Sequence, residues 1–177
     1  MPWKNGGGIT TEMYASPASG EFDWRVSIAT VNADGPFSQF NGYERHIMTL
    51  SGEGMALAIE GRGKFTLEPF RPFTFSGDAQ VHGLLLQGTV MDFNLMVRRE
   101  FGRGTLRVME GNAGDVVGSE KSSCLAYILQ GTCKAGGHEL EPNVSLYLGA
   151  GDFLTLPSPL KLAICEVTPR SPPAPNA

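Results

Sequence analysis

Leu50-Ser51-Gly52 opens a stretch that continues through Leu67-Glu68-Pro69-Phe70 to Ser76-Gly77-Asp78. Between these motifs the sequence predicts short strands at Met55–Ile59, Lys64–Leu67 and Phe73–Phe75, the first two joined by a glycine-containing turn. An apolar strand, Val90–Val97, closes the stretch. A strand, a glycine turn, a strand, a Leu-Glu-Pro turn and a Gly-Asp turn that returns the chain across the barrel are typical of a jelly-roll half-barrel.

The same order of motifs occurs a second time, at Leu129-Gln130-Gly131, Leu140-Glu141-Pro142-Asn143 and Ala150-Gly151-Asp152. The spacing is nearly constant: 79 residues separate Gly52 from Gly131, 73 separate Leu67 from Leu140, and 74 separate Gly77 from Gly151. The second unit also ends in an apolar strand, Leu160–Val167. Two such units predict two barrels side by side, a bicupin.

The composition agrees with a fold built from turns and strands. Glycine makes up 23 of 177 residues, against an average of about 7%, and no helical periodicity extends over about ten residues. We therefore predict an all-β protein with two jelly-roll half-barrels of the RmlC-like cupin fold and few or no long helices. The predicted divisions are an N-terminal half with a ligand pocket (1–100), a C-terminal half (101–168) and a disordered, proline-rich tail (169–177).

Charge and cysteine content exclude several classes of protein. A net charge of −4 and a pI of about 5.4 argue against a nucleic-acid or anionic-membrane partner, because such proteins need a basic surface. No apolar run approaches the ~20 residues of a membrane span, and the first residues lack the apolar region of a signal peptide. Three scattered cysteines are typical of reduced thiols. These features predict a cytoplasmic protein.

The N-terminal segment Trp3–Glu12 contains a lysine, an asparagine and three consecutive glycines. Lys4 and Asn5 offer side-chain donors, and the backbone N–H groups of Gly6 and Gly7 can form an anion-binding nest. This segment either grips a small anionic ligand or is a flexible arm that leads into the first strand, and a glycine run alone does not distinguish the two.

Five motifs together resemble the HutD/Ves family: Pro2–Gly8, Phe22–Ala29, Asp34–Ser38, Gly42–Arg45 and Asp92–Arg99. The resemblance implies a cupin-type fold with two barrel halves. For the HutD branch it implies a non-catalytic regulator of histidine utilisation that holds a small acidic intermediate, with N-formylglutamate the leading candidate. The Ves branch implies a role in stress response. Family members usually carry a further strand before the Pro-Trp motif, whereas Met1 precedes it directly here.

Period-2 alternation predicts which polar side chains lie together. One face of the strand Thr89–Arg98 carries Asp92, Asn94, Met96 and Arg98, and the opposite face carries Phe93, Leu95 and Val97, which pack against a second sheet or a partner. Arg25 and Ser27 share the face of their strand away from Trp24, and Thr10, Glu12 and Tyr14 share a side of the first strand. The predicted ligand-binding residues are Lys4, Asn5, Gly6, Gly7, Thr10, Glu12, Arg25, Ser27, Arg45, Asn94, Met96 and Arg98.

These residues predict the chemistry of the ligand. Arginine binds a carboxylate through two parallel hydrogen bonds, so an arginine-lined barrel suits a small dicarboxylate. Glu12 and Asp92 can neutralise spare arginine charge or accept an N–H group from the ligand, which favours a dicarboxylate that carries an amide. No cofactor is expected.

Metal binding and catalysis are the competing interpretations. A metal-binding cupin needs clustered histidines and carboxylates, whereas His46, His82 and His138 are far apart in the sequence, so no metal is expected. No catalytic residue is assigned. A metal-independent isomerase or epimerase would use Glu12 or Asp92 as the base and Tyr14 or Tyr43 as the acid, and a purely structural role is the third alternative. The second half has few polar alternates, which predicts a packed interior that stabilises the fold or contributes to a homodimer.

Overall fold

The computed structural model describes residues 1–3, 6–135 and 137–171, and the all-β prediction is confirmed. In this part of the chain the elements are strands: β1 (Gly8–Ser16), β2 (Trp24–Val31), β3 (Gly35–Pro36), β4 (Tyr43–Ser51), β5 (Met55–Ile59), β6 (Gly63–Leu67), β7 (Phe73–Ser76), β8 (Val81–Leu85), β9 (Val90–Arg98), β10 (Gly102–Gly111), β11 (Val116–Gly118), β12 (Ser123–Gln130), β13 (Cys133–Ala135), β14 (His138–Leu140), β15 (Ser145–Leu148), β16 (Phe153–Thr155) and β17 (Leu160–Pro169). The described residues include no helix that could span a membrane.

The sheets separate according to their position in the chain. Sheet 1 has the order β1-β2-β9-β4-β7, and sheet 2 has the order β3-β8-β5-β6, so both use strands from the first half. Sheet 3 has the order β10-β17-β12-β15 and is accompanied by the pairs β11-β16 and β13-β14. The paired strands are antiparallel. This arrangement is consistent with the predicted bicupin.

The sequence repeat is also a repeat of backbone geometry. The residue that follows Leu-Glu-Pro has a positive φ in both units, 58° at Phe70 and 75° at Asn143. Each of these residues donates its backbone N–H at 3.0 Å to the first strand of its unit, to the Thr49 carbonyl in β4 and to the Ile128 carbonyl in β12. Non-glycine residues adopt positive φ only where the surrounding structure holds them. The two Leu-Glu-Pro motifs therefore form equivalent turns.

The first glycine of each unit is required both by its backbone conformation and by the close approach of another strand. Gly52 and Gly131 have φ values of +96° and +93°, and a Cβ atom would lie 2.5 Å from the Thr89 carbonyl oxygen in the first case and 2.9 Å from that of Pro159 in the second. These carbonyls come directly before β9 and β17. A side chain at Gly52 would therefore push β4 away from β9, and a side chain at Gly131 would push β12 away from β17.

The two halves are joined through an apolar core between sheets 1 and 3. Sheet 1 contributes the face that carries Phe93, Leu95 and Val97, and sheet 3 contributes side chains such as Leu125 and Tyr127. The rings of Phe93 and Tyr127 have centroids 5.3 Å apart. The apolar face of β9 thus packs against a second sheet, and the opposite face of sheet 1 is left for the interior of the first half.

The second half has its own apolar interior. Its core contains Ala126, Ile128, Leu148, Leu162 and Ile164, together with shorter-strand residues. The predicted tail begins inside β17, because this strand extends to Pro169 and the Arg170 N–H donates to the Phe101 carbonyl at 2.8 Å. Residues 172–177 of the predicted tail lie outside the described residues.

Candidate functional site

Three rows of paired residues form the floor of a cavity in the first half. Directly paired residues in an antiparallel sheet share a face, so the register of β2, β9 and β4 determines which side chains meet. The rows are Arg25–Met96–Arg45, Ser27–Asn94–Ile47 and Ala29–Asp92–Thr49. Two arginines and a carboxylate are thereby brought to one side of sheet 1.

The cavity has a volume of about 530 Å³. Its floor is sheet 1, and aromatic residues of the N-terminal segment and of the loop after β3 form its walls. The lining residues are Met1, Pro2, Trp3, Thr10, Arg25, Ser27, Ala29, Pro36, Phe37, Ser38, Phe40, Arg45, Asp92, Asn94 and Met96. Pockets of this size accommodate small molecules.

Arg45 is held in the cavity by hydrogen bonds and by aromatic rings. Its Nη1 donates to the Ser38 carbonyl at 3.2 Å and its Nη2 donates to Asn94 Oδ1 at 3.1 Å. The guanidinium carbon lies 4.9 Å from the ring centroid of Phe75 and 5.6 Å from that of Phe37. Burial lowers its pKa to about 10, with Asp92 opposing the shift. The group is therefore still a cation at neutral pH, but a poorly solvated one.

Arg25 lies beside it and has few polar partners. Its guanidinium carbon is 4.8 Å from the Phe22 ring centroid and 5.3 Å from that of Phe40, and Nη2 is 3.6 Å from the sulfur of Met96. Burial lowers the pKa of Arg25. Among the described residues, the buried Nε of each cavity arginine has no hydrogen-bond partner. Both arginines therefore retain donor capacity.

Asp92 is fully buried beneath these arginines. Its Oδ1 accepts a hydrogen bond from the Asn94 side-chain amide, whereas Oδ2 has no partner among the described residues. Burial raises the pKa of this carboxyl group to about 7, with Arg45 opposing the shift. The described part of the cavity lining therefore includes two guanidinium groups and one carboxyl group whose burial disfavours its ionised form.

Six of the predicted binding residues line the cavity: Thr10, Arg25, Ser27, Arg45, Asn94 and Met96. Gly6, Gly7, Glu12 and Arg98 are described by the structure but do not line it. Lys4 and Asn5 lie outside the described residues. Arg98 stands at the end of β9, where its guanidinium pairs with Asp23 and approaches Glu21 at 3.8 Å. Its partners are carboxylates of the loop between β1 and β2, which the alternation pattern does not reveal.

The prediction that Tyr14 shares a side with Thr10 and Glu12 is wrong. The register of β1 against β2 shifts between Glu12 and Tyr14, because a bulge inserts one extra residue. A one-residue insertion turns the following side chains to the opposite face. Tyr14 consequently packs on Trp24, at 4.5 Å between ring centroids, on the side of the core between the halves.

The aromatic walls are the part of the cavity that the sequence did not indicate. Trp3 donates from its indole N–H to Thr10 Oγ1 at 2.8 Å and meets Phe37 edge-on, with centroids 5.9 Å apart. Phe37 lies over Gly83, where a Cβ atom would stand 2.6 Å from its ring. The sequence offers two hints about this loop, the Gly35-Pro36 turn before it and the glycine at position 83 in β8. Neither hint indicates that the Phe37 ring packs over Gly83.

Asp78 fixes the loop that carries these walls. Its Oδ1 accepts the Gly42 N–H and its Oδ2 accepts the Ser76 hydroxyl, both at 2.7 Å, and Arg99 pairs with the same carboxylate. The Asp78 carbonyl also accepts a hydrogen bond from the Gln39 side chain at 3.0 Å. The turn after β7 therefore anchors residues 39–42, which include Phe40.

This anchor leads to a pH-dependent prediction for Asp78→Ala. The hydrogen bonds from Ser76, Gly42 and Arg99 lower the pKa of Asp78 from 3.8 to about 2. A carboxylate with a lowered pKa stabilises the fold fully above its ordinary pKa, and the contribution is lost as the pH falls through the folded value. We expect a lower Tm for the variant at pH 7 and a difference from the parent that narrows between pH 4 and pH 2, measured by circular dichroism. An equal difference at pH 7 and pH 2.5 would contradict this assignment.

His46 and His82 do not line the cavity. His46 is buried on the opposite face of β4, where its Nδ1 is 2.8 Å from Thr74 Oγ1, and burial lowers its pKa. Within residues 1–3, 6–135 and 137–171, no group of three or more histidine, cysteine, aspartate or glutamate side chains is positioned to hold a metal ion.

Known proteins share both the sequence and the fold. The HutD family model matches residues 1–165. The chain belongs to the HutD family. A relative from Pseudomonas putida, described as an uncharacterized 21.2 kDa protein in the hutC 3' region, is 44% identical over 115 residues. That match covers 64% of this chain and 60% of the relative.

Solved structures agree with this HutD assignment. The structure of HutD from Pseudomonas fluorescens SBW25, determined in a formate condition, has a TM-score of 0.80 and 32% identity, with 97% of this chain and 94% of that chain covered. A cupin 2 conserved barrel domain protein from Leptotrichia buccalis has a TM-score of 0.63 at 11% identity, covering 91% of this chain and 89% of its own. The second likeness extends the fold to cupins in general.

Proposed function

We propose that this HutD-family protein binds a small, formylglutamate-like dicarboxylate from histidine degradation and acts as a non-catalytic regulator of histidine utilisation. The observation that carries the proposal is the pair Arg25 and Arg45. Both guanidinium groups line one cavity, and each has a buried Nε without a partner among the described residues. A bound carboxylate would supply the missing acceptors.

The surroundings of the arginines favour an anion over a neutral ligand. The Phe40 ring lies within 5.6 Å of both guanidinium carbons, and the Phe37 ring lies 5.6 Å from that of Arg45. Charge-assisted hydrogen bonds are stronger in such apolar surroundings. Asn94 and Ser38 add polar groups of the kind that an amide or formyl group requires. The cavity therefore suits a ligand with acidic ends and a polar amide.

The link to histidine degradation rests on the relatives. The chain belongs to the HutD family, and the P. putida relative is described by its position in the hutC 3' region. Neither relationship identifies the ligand, so the ligand is tested directly below.

A metal-independent enzyme is the second candidate function, and one observation favours it. Asp92 is a buried carboxyl group with a pKa of about 7, which suits a general base. The tyrosines named as its acid partners are poorly placed, because Tyr14 is on the other face of sheet 1 and the Tyr43 hydroxyl donates to the Phe22 carbonyl at 2.6 Å. Binding without turnover is therefore the proposal we prefer.

The test is thermal unfolding of the purified protein with histidine, urocanate, formiminoglutamate, N-formylglutamate and glutamate, followed by mass spectrometry of each mixture. A ligand that binds only the folded state stabilises it by about 2.7 kcal/mol at one hundred times its Kd. We expect one dicarboxylate to raise Tm without forming a product. Product formation would establish the enzyme instead, and no shift with any acid would exclude the proposed ligand class.

Arg25→Gln is the first variant to compare with the parent. We expect the variant to fold normally, since Arg25 has few polar partners. Its affinity for the dicarboxylate should fall by at least about tenfold, because a charge-assisted hydrogen bond is lost. Arg103→Gln is the matched control, because Arg103 is exposed on β10 in the other half. If the dicarboxylate raised Tm equally in the two variants, Arg25 would not be a binding residue.

A further inference from the structure

The polar side chains on the cavity floor form a hydrogen-bonded chain with a defined direction. Arg45 donates to the Ser38 carbonyl and to Asn94 Oδ1, and the Asn94 amide nitrogen in turn donates to Asp92 Oδ1. Oδ1 of Asp92 is thus an acceptor. Oδ2 is buried, makes no hydrogen bond to the described residues and belongs to a residue that lines the cavity. Oδ2 is therefore the atom of the chain that is available to carry a proton.

A carboxylate ligand adds negative charge next to this group. Two carboxylates that share a buried site do not both remain ionised, and the one with the higher pKa takes up a proton. Burial already raises the pKa of Asp92 to about 7. A neighbouring anion raises it further, so the bound state favours the neutral acid.

We propose that Asp92 is a specificity-determining residue that takes up one proton from solvent when the ligand binds and donates a hydrogen bond from Oδ2 to a ligand oxygen. This inference rests on the proposed function. It makes the ligand class more specific: a carboxylate for Arg25 and Arg45, and a carbonyl or second carboxylate oxygen that can accept from Asp92. The step is a proton transfer alone: the buffer acid loses a proton, Oδ2 of Asp92 gains it, and no other covalent bond changes.

Among the described residues, the other charged groups around the cavity do not reproduce this behaviour. Arg45 from β4 and Arg25 from β2 remain cations, and Glu12 from β1 is exposed at the edge. The loop after β3 contributes Pro36, Phe37, Ser38 and Phe40, none of which titrates. His46 and Tyr43 are on β4 but do not line the cavity. The amino group of Met1 lies at the rim, bonded to the Thr10 carbonyl, and it is unchanged in an Asp92 variant.

The experiment is isothermal titration calorimetry with N-formyl-L-glutamate between pH 6 and pH 8.5, in buffers of different ionisation enthalpy. We expect uptake of up to one proton near pH 7.5, and a Kd that rises up to tenfold per pH unit above about pH 7. Asp92→Asn keeps a neutral donor at Oδ2, so it should retain binding and lose the pH dependence. Glu110→Gln is the control: it removes an exposed carboxylate on β10 and should keep the pH dependence of binding.

Each result has a definite meaning. Binding without proton uptake by the parent protein would overturn the inference and leave the proposed function intact, and this measurement does not depend on whether the variant folds. A folded Asp92→Asn protein that has lost affinity at every pH would also overturn it, because Asp92 would then act as an ionised acceptor. No heat with any acid of the panel would overturn the proposed function, and the inference with it.

Discussion

Arg45→Met should abolish the stabilisation that the dicarboxylate ligand confers. Arg45 is the buried cation at the centre of the cavity floor, and it joins the Ser38 carbonyl to Asn94. Truncating one partner of a buried charge pair costs about 2–5 kcal/mol, much of which comes from the charge left unpaired. We expect affinity to fall by at least about a hundredfold, measured by calorimetry at pH 7.

The fold itself should tolerate this change better than the site does. A buried arginine carries a desolvation penalty that methionine lacks, and methionine fills irregular space well. The variant should therefore fold and leave the ligand with one cavity arginine. Arg103→Met is the control for loss of a positive charge on an exposed strand residue. Affinity within about threefold of the parent would show that Arg45 has a structural role only.

Phe93→Ala is expected to cause the largest loss of stability. Phe93 is fully buried on the face of β9 opposite the cavity, where it packs against Tyr127 of the other half. Removing a large aromatic side chain from a core costs about 3–5 kcal/mol, through lost burial and the cavity that remains. Urea unfolding measures this cost. Phe153→Ala is the control, since Phe153 is 49% exposed.

The same substitution tests whether the two halves unfold together. If the core between sheets 1 and 3 holds them as one unit, the variant should unfold in a single transition at lower urea concentration, followed by tryptophan fluorescence and by circular dichroism. A loss below about 1 kcal/mol would contradict the assigned role of Phe93 in joining the halves.

Local alternation was sufficient to predict the floor of the cavity. Arg25, Ser27, Asn94 and Met96 lie on regular strands, and the period of two places them on one face whatever the rest of the fold does. The repeat was equally predictable, because a turn restricts the residues that can occupy it when it requires a positive φ or leaves no room for a Cβ atom. Such requirements are local, and the sequence records them directly.

The remainder of the site depends on contacts between distant segments. The bulge before Tyr14 turns the side chains that follow it to the opposite face without any local signal, and Phe37 reaches the cavity because the loop after β3 folds over Gly83. Arg98 turns to Asp23, a partner 75 residues away. Asp92 was foreseen as a neutralising charge, but its burial and its unpartnered oxygen follow only from the packing of the sheets.

Sheet 1 has the cavity on one face, and its other face forms the joint between the halves, which is the apolar core between sheets 1 and 3. Successive side chains of β9 therefore point alternately into the cavity and into this joint. Asn94 faces the cavity while its neighbours Phe93 and Leu95 pack against the other half. A substitution in the joint that moves the backbone of β9 therefore moves the cavity floor as well. Comparisons of relatives that consider only the cavity-lining residues will miss this route by which the shape of the cavity changes.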